Sequence, residues 1–379
     1  FQRYKIMNKK ILLIFVFLLF LKLNFSQDRR INYEFYFLTI SPDARASGLG
    51  EQGVATNPDV FSQHWNPSKY VFSDQSSGIG FGYSPYLSKL INDSFLINVN
   101  YFNIINERSS WSTSFKYFTL GNIDIIQNPQ DIPIIESPNG YTLDASYSLK
   151  LTDSFAMAFT GRYSISDFKS QYVGLDSQPT SSFAFDISGF FQSDERAYEN
   201  FNGIWRVGFN LSNLGARVRF EDGGDKDFIP TNLKVGSAFD FIFDSSNKFS
   251  LNLELNKLLV PSSIPTYNSN GQIIDYKQPD IGFLSGIFKS FGDAPDGFSE
   301  ELKEITLAFG LEYLYNESFA LRAGYFNEHA SKGARKYLTF GTGFKLNAFN
   351  LDLSYLNSTS EVSNPFDKTI RFSFTYNFN

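Results

Sequence analysis

The chain has 379 residues, 42% of them hydrophobic and 18% aromatic, with 43 Phe, 21 Tyr and only 19% charged residues. The absence of cysteine excludes thiol catalysis and disulfide staples. His64 and His329, the two histidines, have no partner at ligand spacing, which speaks against a histidine metal site, and a net charge of −6 without a basic tract speaks against nucleic acid as a partner.

The first element is a leader. From Met7 the chain reads a basic pair (Lys9, Lys10), an apolar run from Ile11 to Leu21 and a polar exit at Asn24-Phe25-Ser26-Gln27. That is the layout of a secretory signal peptide, and the run is too short for the ~20 apolar residues of a spanning helix. Cleavage is expected just before Gln27, and Phe1–Ile6 precede a candidate initiator, Met7. Residues 1–26 are therefore assigned to the upstream residues and leader, 27–76 to an N-terminal plug or periplasmic segment, and 77–379 to a strand-built domain.

No second long apolar run follows, so membrane insertion falls to strands. Segments of ~10 residues with alternating hydrophobicity, separated by turn residues, are what a transmembrane barrel leaves in a sequence. Fourteen such strands are expected near 77–84, 94–104, 110–119, 140–150, 154–164, 181–193, 202–212, 231–242, 247–257, 302–314, 318–328, 336–347, 349–358 and 368–379. The last is the clearest: Ile370, Phe372, Phe374, Tyr376 and Phe378 alternate with Arg371, Ser373, Thr375 and Asn377. A soluble sandwich would alternate too. Two features decide for an all-β, antiparallel, fourteen-stranded transmembrane barrel. Long connections (85–93, 120–139, 165–180, 213–230, 258–301) alternate with short ones, as extracellular loops alternate with periplasmic turns. The apolar face is also aromatic-rich, a hazard in water but suited to lipid.

The inward positions hold Asp144, Asp186, Asp240, Asp352, Glu254 and Glu312 beside Lys150, Lys234, Lys345, Arg162, Arg206, Arg322 and Arg371. A pore selecting ions by sign would carry rings of one charge; this mixed set points to internal pairing, a plug, or both. Gly78, Gly80 and Gly82 share one face of the first strand and would let another backbone come close. Residues 31–70 are expected to fold into or against the periplasmic end of the lumen beside them.

The N-terminal segment reads Ser41-Pro42-Asp43-Ala44-Arg45, then Gly48 and Gly50, then His64-Trp65-Asn66-Pro67. The glycines lack the strand, helix and Lys of a phosphate cradle. Together these residues resemble the start of the FadL-like outer-membrane family, and in their more specific form that of PorV in the type IX secretion system, with PorQ the nearest alternative. A second stretch, Phe288, Ser290, Phe291, Asp293, Ala294, Pro295, Gly297, Phe298, Glu300 and Glu301, supports the same resemblance. It lies in the longest connection and is a candidate partner-binding loop, with a short helix expected over 296–304 capped by Ser299.

The resemblance implies a carrier without bond chemistry, catalytic residues, metal or cofactor. It would bind the SprA-type translocon and receive secreted proteins with C-terminal signal domains. It would then pass them to a PorU-type attachment complex, where they are joined to lipopolysaccharide. The wider family leaves open a transporter of hydrophobic small molecules, which needs an apolar lumenal patch; Leu96, Phe102, Phe118, Phe190, Phe326 and Leu356 are the inward apolar residues that could form one. A passive porin is disfavoured by the mixed lumen charge.

Overall fold

The computed structural model describes residues 33–378 except 90, 92, 127–129, 131, 169–178, 220–224, 295–296 and 363. The leader, the residues just after it and Pro295 lie outside the described residues.

Alternation sets the architecture. In Ile370–Phe378 every odd-face residue is aromatic or aliphatic and turned outward, and every other residue is polar and buried inward. The same period of two repeats along the wall. The barrel strands are β1 (Ser77–Pro85), β2 (Phe95–Asn106), β3 (Ser109–Thr119), β4 (Asn139–Thr152), β5 (Phe155–Asp167), β6 (Thr180–Gln192) and β7 (Asn202–Gly215). The second half comprises β8 (Asn232–Ile242), β9 (Asn247–Leu258), β10 (Ile305–Tyr315), β11 (Phe319–Asn327), β12 (Lys336–Leu346), β13 (Phe349–Ser358) and β14 (Ile370–Phe378). Each pairs antiparallel with its sequence neighbour, and β1 pairs with β14 from Ser77↔Phe378 to Tyr83↔Phe372, closing the ring. Closure leaves no edge strand in lipid, where an unpaired backbone could find no water. Among the described residues no helix is long and apolar enough to cross a membrane.

The expected strands are all present with ends shifted by up to three residues, and two of the shifted starts have local reasons. β10 starts at Ile305 because Leu302–Glu304 form a 3-10 turn, with Glu304 held by Lys257 and Lys332. β14 starts at Ile370 because Lys368 has φ +60°. β7 also carries a bulge between Leu211 and Leu214. Asn213, at φ +58°, fills it, donating from its backbone N to Asp186 Oδ1 (2.7 Å) and from Nδ2 to Pro230 O (2.8 Å).

The long connections share one rim and carry three small ribbons: Ile123–Ile125 with Ile134–Glu136, Val218–Arg219 with Lys226–Asp227, and Ile264–Tyr267 with Ile273–Lys277. The opposite rim has the short turns. The lumen is filled by residues 33–76, which contain the helices α1 (Ala44–Gly48) and α2 (Ser62–Trp65) and 3-10 turns at Tyr36–Thr39 and Pro67–Phe72.

Candidate functional site

The plug is densely hydrogen-bonded, and its course starts at the long-loop rim. Phe35, Phe37, Leu38 and Ile40 pack there against Leu96, Phe118, Ala184, Phe326, Tyr337, Leu356 and Phe366, and the Glu34 N–H donates to Phe228 O (2.9 Å). The segment thus lies in the lumen as expected but reaches further, from the long-loop rim to the short-turn rim.

Each motif residue of the segment has a definite task. Asp43 caps α1, accepting from Ala46 N (2.8 Å), and its other oxygen accepts from Trp65 Nε1 (2.8 Å). That one carboxylate ties the two halves of the motif together. Ala44 N donates to Ser373 Oγ on β14 (2.7 Å). Arg45 forks onto Glu312 of β10 (3.2 and 3.0 Å) and reaches Asp59 (2.7 Å) and the Asn57 carbonyl (3.1 Å). Glu312 is shared with Arg322, which goes on to Asp352 (2.6 Å each). Ser41 bonds Ser47 (2.9 Å), and Ser47 accepts from Arg371.

Farther along, His64 Nδ1 lies 2.9 Å from Lys116 Nζ, and the Lys234 ammonium stands 4.1 Å over the Trp65 ring, a cation–π contact. Asn66 donates to Val54 O (2.9 Å) and Gly189 O (3.0 Å), while Ser148 donates to the Pro67 carbonyl (2.8 Å).

Glycines decide how close the plug can come. A Cβ on Gly82 would run into the Pro42 carbonyl, one on Gly80 would meet Val60 and Phe61 at 3.0 Å, and one on Gly78 would meet Asn377 at 2.8 Å. Across the lumen, a Cβ on Gly48 would lie 3.0 Å from Gly341 Cα, and one on Gly50, at φ +84°, 2.9 Å from the Tyr325 carbonyl.

Some anchors carry no sequence signal of their own. Glu254 Oε2 accepts from both Gly53 N and Val54 N (2.9 Å each), and Lys69 donates to Gly53 O (2.7 Å). Gln63 bridges to Ser146 (2.7 Å). The inward charges are largely paired with one another: Arg162 with Asp144 (2.7 Å) and Asp186 (2.8 Å), and Arg206 and Lys248 with Asp240.

The inward apolar residues are occupied as well. Besides the Leu96, Phe118, Phe326 and Leu356 cluster, Phe102 stacks on Tyr70 (4.6 Å between centroids) and Phe190 meets Phe72 edge-on (5.5 Å). A vestibule of about 620 Å³ lies open at the short-turn rim. Its lining mixes charged residues, including Asp59, Asp74, Lys248, Glu317 and Lys345, with apolar ones such as Phe61, Ile204, Ile242 and Leu314, and its floor is the plug.

The long loop between β9 and β10 divides into a fixed and a free part. Phe283–Lys289 forms a helix, α3, and Phe298–Glu301 another, α4. Ser299 lies inside α4 and does not cap it; Gly297 (φ 70°) takes the cap position, with no side-chain cap bond, so the expected Ser299 cap is corrected. Glu300 and Glu301 are buried. Lys257 donates to Glu301 (3.0 Å) and Glu304 (2.7 Å), and Lys332 to Glu300 (2.6 Å) and Glu304 (3.1 Å). Asp293, Glu301 and Glu304 gather their oxygens within 4.8 Å, and the same two lysines meet that charge. Burial, with Glu304 and Glu301 nearby, raises the Asp293 carboxyl above the usual range. Ser290 donates to Ile287 O (2.7 Å), and Ala294 N to Glu301 (2.9 Å). By contrast Phe288 and Phe298 are each 77% exposed, and Phe291 is exposed as well.

Residues 24–265 match the family model described as type IX secretion system protein PorV, which is well over half of the chain. The chain belongs to the PorV family. The resemblance read from Ser41 to Pro67 is thereby borne out, and this PorV-family protein is an outer-membrane component of the type IX secretion system. No curated protein matches the sequence. Among solved structures, the Pseudomonas putida toluene transporter TodX is similar at 11% identity and TM-score 0.52, covering 88% of this chain and 97% of that one. A Pseudomonas aeruginosa FadL homologue is similar at 10% identity and TM-score 0.50, over 90% and 99%. The Ralstonia pickettii toluene transporter TbuX stands at 10% identity and 0.50, over 91% and 100%. At such identities the likeness establishes the FadL-like fold alone. Both the PorV family and these barrels are non-enzymatic families.

Proposed function

We propose that this PorV-family barrel is a sealed carrier. It binds an SprA-type translocon, receives secreted proteins by their C-terminal signal domains, and hands them to a PorU-type attachment complex for joining to lipopolysaccharide. The observation that carries the reading is the occupied lumen. The inward apolar side chains Leu96, Phe102, Phe118, Phe190, Phe326 and Leu356 are taken up by packing with the plug and with one another, and the vestibule carries charged residues among its apolar ones. Function is then left to the rims and outer surfaces. The exposed Phe288, Phe291 and Phe298, mounted on a loop whose acids are tied down by Lys257 and Lys332, form a candidate partner-binding face. Rigid presentation of exposed aromatics suits a contact surface.

The test is a deletion strain with analysis of its secreted proteome and of uptake. The carrier reading expects cargo with C-terminal signal domains to accumulate in the periplasm or at the translocon, and affinity purification to recover a giant barrel with secreted proteins. Normal export combined with lost uptake of fatty acids or aromatic hydrocarbons would replace it with the transporter reading that the fold likeness also allows.

A further inference from the structure

The vestibule at the short-turn rim is balanced in charge at its floor and unbalanced at its mouth. At the floor the bases Arg45, Arg206, Lys248 and Arg322 are matched by Asp59, Asp240, Glu312 and Asp352, four against four. At the mouth stand Asp74, Glu195, Asp244 and Glu317, with Lys345 as the one base, so four acids against one base leave a net charge of −3. None of these five has an ion-pair partner among the described residues; Glu195 and Asp244 accept only from neutral groups, such as the Asn202 and Asn247 amides. Between floor and mouth runs an apolar shelf. Ile242, Leu314 and Ala320 lie in one inward row across β8 to β11, broken by Lys248, and Ile204 stands beside it on β7. On the seam side Asn350 and Thr375 are directly paired across β13 and β14 and line the same space. Asn350 Oδ1 and Thr375 Oγ1 have no hydrogen-bond partner, although Thr375 is only 4% exposed.

We propose that this vestibule docks a lysine- or arginine-bearing segment of a periplasmic polypeptide. Low-dielectric lipid surrounds the cup, so the field of the unmatched acids is focused at its mouth. A hydrated metal ion would leave the apolar shelf unused. A basic side chain uses both features, laying its methylene stem on Ile242 and Leu314 while its charged head reaches back to the acids. Asn350 and Thr375 then offer a carbonyl oxygen and a hydroxyl to the backbone of the segment. The plug closes the cup below, so the segment docks and does not pass through. The site adds a contact on the periplasmic side to the carrier reading and does not depend on it.

The test uses the full-length protein in a neutral detergent at low salt, with a fluorescein-labelled peptide of alternating Lys and Ala as probe, a Glu–Ala peptide as the control for sign, and fluorescence anisotropy as the readout. The Lys–Ala peptide is expected to bind one to one and the Glu–Ala peptide not to bind. Glu195→Gln, Asp244→Asn and Glu317→Gln together are expected to weaken binding about tenfold, the combined effect of three exposed charge pairs. The chain has no cysteine, so a single one can be introduced and blocked after folding. Lys345→Cys removes the base at the mouth and should bind at least as tightly as wild type until a bulky maleimide fills the vestibule and abolishes binding. Glu107→Cys, exposed on the β2–β3 turn of the same rim and outside the vestibule, should be indifferent to the same label. Equal binding of the two peptides, unchanged affinity in the triple variant, binding that survives the label at Lys345→Cys, or binding lost on labelling Glu107→Cys would each overturn the proposal.

Discussion

Arg45→Ala tests whether the plug is held or merely resting in the lumen. Arg45 makes four hydrogen bonds, to two Glu312 oxygens, Asp59 and the Asn57 carbonyl, with its side chain 13% exposed. Removing one partner of a buried pair costs about 3–5 kcal/mol, because the abandoned charge stays buried. Glu312 keeps Arg322 at 2.6 Å, so the lower end applies. A loss of about 3 kcal/mol raises the population of displaced plug roughly a hundredfold. Planar-bilayer recording reads this directly: the wild type is expected to be silent, and Arg45→Ala to show brief openings with faster proteolysis of the segment around residues 53–60. Arg45→Lys, keeping the charge but not the fork, should fall between them. A double-mutant cycle with Glu312→Ala supplies the coupling. Openings in the wild type equal to those of Arg45→Ala, or a coupling near zero, would refute the reasoning.

Three further outcomes follow from the same contacts. Gly82→Val drives side-chain atoms into the Pro42 carbonyl and is expected to abolish the heat-modifiable band, whereas Gly161→Val, on open space, should keep it. Phe288→Ser with Phe298→Ser removes two 77% exposed rings; melting should stay within about 0.5 kcal/mol of wild type, the usual surface range, while recovery of secretion partners drops, and undiminished recovery would clear this loop of the role. Asp293, whose carboxyl burial has raised, binds its proton more tightly folded than unfolded. Its ionisation therefore weakens the loop as pH climbs out of the ordinary carboxylate range through the folded value. Hydrogen-exchange protection of residues 283–304 should fall over that rise, and Asp293→Asn should flatten the profile.

The wall was legible because its code is local. A strand such as Phe249–Leu255 states its two faces in seven residues, and the inward charges fall where parity puts them. What could not be read is what spans the lumen. Arg45 and Glu312 are 267 positions apart, and no periodicity relates them; Glu254 could be assigned inward but not to Gly53 and Val54. Phe35–Ile40 is a short apolar run whose partners come from β2, β3, β6, β10, β11, β12 and β13. The motif residues Ser41 to Pro67 were marked by resemblance alone, and the structure gives each a contact within the plug or with the wall. In the long loop, helix α3 went unread because seven residues offer too few turns for a helical period to stand out. Ser299 misled because a good cap residue can equally sit one step inside the helix when a glycine at positive φ turns the chain first.

The ring seals where β1 meets β14, and the plug binds to staves from both sides of that seam: Pro42 at Gly82 on β1, Ala44 on Ser373 and Ser47 on Arg371 of β14. The part of the chain made first is thus enclosed by the part made last. Such pairing spans nearly the full contour of the polypeptide, the most entropically demanding kind of contact to form. A barrel that stays open at this seam until its content is in place would form these contacts last, and a chain cut short before Ile370 would lack both the final stave and its holds on Ala44 and Ser47.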